Sequence, residues 1–148
     1  MSLKERINED MKAAMRARDS ERLSAIRLLL SAIKQKEVDE RIVVDDAQVV
    51  AIIDKMLKQR RDSITQFEAA GRQELADRER FESEVLSAYM PQQASEAEVA
   101  AEIDAALAAT GAAGPADMGK VMGVLKGRLA GRADLSAVSA QVRARLAG

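Results

Sequence analysis

Apolar residues return every three or four positions through almost the whole chain, and the return breaks sharply at Met90-Pro91. Leu3, Ile7, Met11 and Met15 open the pattern. Leu23, Ile26, Leu30 and Ile33 continue it with Leu29 beside them, and Val49, Ile52, Ile53, Met56 and Leu57 carry it on through Ile64 and Phe67. Such spacing gathers side chains on one face of a helix and scatters them on a strand. Hydrophobic residues make up 47% of the chain but aromatics only 2%, so Ala, Leu, Val, Ile and Met must fill the core. Aliphatic cores of this kind favour packed helices over sheets. The expected fold class is all-α, and the brief Ile42-Val43-Val44 run, isolated between helices, is not read as a strand.

Start and stop signals divide the pattern into segments. Ser2 with Glu5 is a capping box, Asp19 or Ser20 can cap a second helix, and Asp45 pairs with Gln48 ahead of a third. The first helix is expected to end near Arg18, and the second to fade in the charged stretch Lys34 to Arg41. Gly71 suits a left-handed cap ending the third, and a fourth helix is expected from about Arg72 to Tyr89, with Leu75, Val85, Leu86 and Tyr89 inward. Pro91 cannot continue a helix and disfavours helical geometry at Met90. The expected organisation is therefore a four-segment helical domain over residues 1–90, a linker over 91–94, and a three-helix bundle over 95–148. In the bundle, Ser95 with Glu98 opens one helix, a turn at 110–115 precedes the glycine-bearing second, and Asp134 caps the last along Leu135, Val138, Val142 and Leu146.

Composition excludes several chemistries. The chain has no Cys and no His, which removes thiol catalysis, serine triads, cysteine metal sites and the commonest neutral-pH base. No catalytic residue, metal or cofactor is expected. No apolar run approaches membrane-spanning length, and the first residues lack the apolar core of a signal peptide, so a cytoplasmic location with no membrane contact is expected. Net charge is −1 but unevenly spread: residues 95–116 hold four acidic groups and no basic one, whereas residues 117–148 hold six basic and two acidic. A basic terminal segment is what a polyanion meets locally.

Three stretches taken together resemble the YqeY-like family, which is related to the C-terminal region of the B subunit of the tRNA-dependent amidotransferase. They are residues 58–75, the junction Tyr89-Met-Pro-Gln-Gln-Ala-Ser-Glu96, and Asp117-Met-Gly-Lys-Val-Met-Gly123 with Gly131-Arg-Ala-Asp134. The resemblance spans nearly the whole chain. It implies an all-helical two-part fold, and a tail that touches tRNA in the full amidotransferase subunit. Ammonia transfer and ATP use belong there to a catalytic domain absent here, so a carbon–nitrogen ligase label would describe the relative and not this chain. The expected role is a non-catalytic tRNA-binding accessory module; the alternative is an adaptor docking a partner helix or an amidotransferase complex.

Gly119, Gly123, Gly127 and Gly131 stand at four-residue intervals near the end. A glycine inside a helix costs about 0.5–1 kcal/mol relative to Ala. With roughly 100° per residue, the first three drift across about 80° of one helix face, bracketed by Lys120 and Lys126, while Val121, Leu125 and Leu129 fall elsewhere. Three readings remain open, one of them compositional drift in a chain rich in Ala and Gly. Glycines permit close approach of a neighbouring helix, or of an RNA backbone whose phosphates the lysines attract. The candidate RNA contacts are Gly119, Lys120, Gly123, Lys126, Arg128 and Arg132, with Arg143 and Arg145 extending the basic face and Gly131 more simply a helix-ending residue. No aromatic residue stands among them, so base stacking is not expected. Asp117 is expected to cap the glycine helix, and Arg60 to break an apolar stripe unless paired, for example across a domain interface.

Overall fold

The computed structural model describes residues 1–147. They form seven α-helices: α1 (Leu3–Arg16), α2 (Ser20–Glu40), α3 (Asp46–Ala69), α4 (Gln73–Ser87), α5 (Glu96–Thr110), α6 (Met118–Leu129) and α7 (Leu135–Ala147). A single 3-10 turn, Pro115–Asp117, leads into α6, and no strand occurs among the described residues. The fold is all-α. Two compact units divide at the proline, Met1–Met90 and Pro91–Gly148.

In the first unit the caps do what their side chains allow. Ser2 and Glu5 exchange hydrogen bonds at α1, Asp45 and Gln48 do the same at α3, and the Asp19 carboxylate accepts from Arg22 N–H at α2. Each satisfies backbone donors that a helix start leaves without partners. Gly71 takes left-handed backbone at φ 71° and lets α3 reverse into α4. The core gathers Ile7, Ala14, Ile26, Leu29, Ile33, Val49, Ile53, Met56, Val85, Leu86 and Tyr89.

One expectation is corrected here. Met15 is not part of the buried stripe; it is 49% exposed, and Ala14 takes the inward position. Strict four-residue spacing advances about 400° per step, so the stripe drifts off the core side within three steps. Helix α2 ends inside the charged stretch, running to Glu40 and stopping at Arg41, which adopts φ 53° without being a glycine.

Polar contacts tie the first unit together. Arg60 Nε donates to Glu82 Oε2 at 3.2 Å, with side chains 13% and 17% exposed, so Arg60 is paired between α3 and α4 within the unit. Glu37 accepts from Lys4 Nζ at 2.6 Å and from Val44 N–H at 3.1 Å, which pins the segment after α2 against α1. Those bonds hold the Glu37 carboxyl below its ordinary range, the lysine contributing most. Tyr89 O–H donates to Asp10 Oδ2 at 2.5 Å, under the Arg6 guanidinium 5.0 Å from the ring centre. Burial, then the Asp10 contact, pushes the phenol pKa up.

The second unit is smaller and closes around Val99, Ile103, Ala106, Val121, Leu125, Leu129, Val138, Val142 and Leu146. Residues 92–94 are held to its α6–α7 turn: Ala94 N–H donates to Arg132 O at 2.8 Å, Gln93 Nε2 to Gly131 O at 2.8 Å, and Arg132 Nε to Gln92 O at 3.1 Å.

Candidate nucleic-acid interface

Helix α6 has two unlike faces. Val121, Leu125 and Leu129 are fully buried in the unit's core. Gly119, Gly123 and Gly127 are exposed, and a Cβ built at any of them meets no atom within 4 Å. Close packing against another helix of the second unit is therefore not why these three positions are bare. Gly131 is different in kind: it lies past the helix end at φ 74°, as a helix-ending residue should.

The lysines flanking the strip are both exposed. Lys120 Nζ comes only within 4.0 Å of Asp117 Oδ1. Asp117 does not cap α6 with its side chain, contrary to expectation. Its carboxylate turns back to accept from Ala113 N–H at 3.0 Å and closes the turn before the helix. Backbone N–H groups of Ala113 and then Gly114 hold its pKa below the ordinary value. The carboxylate is thus occupied by the preceding turn, and the first N–H groups of α6 are not filled by it.

The arginines behave otherwise. Arg128 Nη1 donates to Glu102 Oε2 at 3.1 Å, Arg132 Nη2 to Glu98 Oε2 at 2.8 Å, and Arg145 pairs with Asp104. Three basic groups of the terminal segment are thus matched by three of the four carboxylates of α5. Glu98 is held below its ordinary pKa, chiefly by Arg132 and then by Ser95. The uneven charge of the sequence is largely an internal complementarity. In residues 91–148 six basic groups balance six acidic ones, so attraction for a polyanion must come from local arrangement.

The structure therefore brings Gly119, Lys120, Gly123 and Lys126 together on one face and directs Arg128 and Arg132 toward α5. One signal was present in the sequence: Arg128 lies nine residues after Gly119, roughly 180° around the helix from it. In the first unit, Lys58 with Asp54, Arg72 with Glu74, and Arg80 with Glu68 and Asp77 pair on solvated faces. Such exposed pairs contribute little individually. Among the described residues no group of three or more acidic side chains is arranged to hold a metal ion, and no helix is long and apolar enough to cross a membrane.

An all-helical protein of two units, the second carrying an open glycine strip between lysines, is the class these features define. The family model described as Yqey-like protein matches residues 4–146, and the chain belongs to that family. It is similar to altered inheritance of mitochondria protein 41, mitochondrial, from several yeasts. The Eremothecium gossypii protein is 39% identical over 104 residues, covering 68% of this chain and 57% of that one. The Lachancea thermotolerans protein is 39% identical over 100 residues, covering 66% and 54%, and that of Candida glabrata 35% over 86 residues, covering 57% and 47%. The chain thus spans about half the length of these curated relatives. Their names contradict the cytoplasmic location expected above, since they are mitochondrial proteins. The expectation rested on the absence of a membrane-length apolar run and of a signal-peptide core, and neither property distinguishes one aqueous compartment from another.

Proposed function

We propose that this protein is a non-catalytic RNA-binding accessory module whose second unit grips the phosphate backbone of tRNA or a tRNA-like RNA. The observation that carries this reading is the open glycine strip: three helical positions without side chains, unobstructed out to 4 Å, between Lys120 and Lys126. Bare backbone allows a sugar–phosphate chain to approach closely, and the ammonium groups supply the attraction. The likeness to the tRNA-contacting tail of the amidotransferase B subunit points the same way. Arg128 and Arg132 serve mainly to hold α6 and its following turn to α5.

Binding of this kind is weak, salt-sensitive and governed by shape. With two or three phosphate contacts, the logarithm of affinity should fall against the logarithm of salt with a slope of about 2–3. The test is tRNA affinity across a salt series for the wild type and for Lys120→Ala/Lys126→Ala. The expected result is weaker binding and a slope lower by about 2. Unchanged affinity and slope would remove the site. Partners that survive nuclease in a pull-down would favour the adaptor reading, and glutamine- and ATP-dependent turnover by the isolated chain would overturn the non-catalytic one.

A further inference from the structure

We propose that the groove between α6 and α7 seats a phosphate group between Lys126 and Arg143. The inference rests on the RNA reading for its ligand and adds where one phosphate goes. The groove is lined by Met122 and Lys126 from α6 and by Leu135, Ser136, Ser139 and Arg143 from α7. Ser136, Ser139 and Arg143 follow one another at three and four residues, so they share a helix face. At about 450 Å³ the groove has room for a phosphodiester, and it is open enough for a polymer to enter and leave.

Its charge sets it apart from the rest of the unit. Among the described residues no carboxylate lines it. Three of the unit's four arginines are tied to α5 carboxylates, whereas among the described residues neither Lys126 nor Arg143 has an ion-pair partner. Asp134 lies at the start of α7, where its carboxylate is engaged by Ser136 N–H at 3.0 Å. An ammonium, a guanidinium fork and two hydroxyl donors match the oxygens of a phosphate group. Lys126 borders both this groove and the glycine strip, so a backbone lying along the strip continues into the groove without leaving positive charge.

The experiment compares tRNA binding across a salt series for wild type, Arg143→Gln, Arg143→Lys and Arg145→Gln, beside a titration of the wild type with inorganic phosphate followed by amide shifts. Arg143→Gln should weaken tRNA binding about fivefold and lower the salt slope by about one. Arg143→Lys should restore most of the slope, and Arg145→Gln, already paired with Asp104, should change it much less. Arg143→Gln with wild-type affinity and slope, alongside loss in Lys120→Ala/Lys126→Ala, overturns the groove and leaves the RNA reading standing. If the wild type binds no tRNA but inorganic phosphate shifts the Ser136, Ser139 and Arg143 amides, and Arg143→Gln abolishes those shifts, the groove stands as a site for free phosphate and the RNA reading falls. If neither ligand binds, both fall.

Discussion

Two sets of glycines in this protein have opposite explanations. Gly71 and Gly131 lie at helix ends with φ of 71° and 74°, backbone that side-chain-bearing residues adopt at a cost. Gly119, Gly123 and Gly127 lie in regular helix with nothing near the missing Cβ. The first set is accounted for by the turn each one makes. The second set is unfavourable to folding, by about 0.5–1 kcal/mol per residue relative to Ala, and gains nothing from packing within the second unit. On the proposed reading, that cost is offset by what the exposed backbone meets.

The comparison is anchored by the buried face of the same helix. Leu125→Ala should destabilise the second unit by about 2–5 kcal/mol in denaturant unfolding, because it removes a fully enclosed side chain and leaves a cavity. Gly71→Ala should destabilise the first unit by about 1 kcal/mol through backbone strain alone, since no neighbouring atom obstructs the added methyl. Gly123→Ala should do the reverse and stabilise the second unit by about 0.5–1 kcal/mol, while weakening tRNA binding. A destabilised Gly123→Ala would make the strip a packing seam and dissolve the contrast; a stabilised variant with undiminished binding would leave the glycines without a role in RNA contact.

The smallest effect concerns pH. Glu98 and Asp117 both have folded pKa values below their ordinary ones, so each contributes stability that is present above the ordinary carboxylate range and lost as pH falls through the folded value. The second unit should therefore melt at lower temperature below about pH 4 than at neutrality, and Glu98→Gln should narrow the difference slightly. A melting temperature insensitive to acid would mean that the Glu98–Arg132 pair and the Asp117 turn contribute nothing.

Much of the architecture was legible because its signals are local. The Ser2–Glu5 and Asp45–Gln48 boxes, Gly71 and Pro91 each act within a few residues, and aliphatic spacing shows which face turns inward. Signals failed where a local rule was overridden or silent. Arg41 ends α2 in a left-handed conformation with a residue type that does not advertise it. Met15 follows its stripe in spacing yet drifts outward, and Asp117 resembles a cap but spends its carboxylate on the preceding turn. At the candidate site, the lysine–glycine face was readable from one helix's geometry. The partners of Arg128, Arg132 and Arg145 were not, because they lie 26 to 41 residues earlier in the chain.

By itself, then, the amino-acid sequence determined an all-helical chain, the caps at Ser2, Asp45 and Ser95, and the face of α6 on which glycines and lysines gather. These follow from hydrogen bonding and side-chain periodicity over a turn or two of helix. Only the tertiary structure decided that the glycines stand open, that α5 engages three arginines, and that Lys126 and Arg143 line one groove. Exposure and ion pairing depend on which helices become neighbours, and helix periodicity carries no record of that.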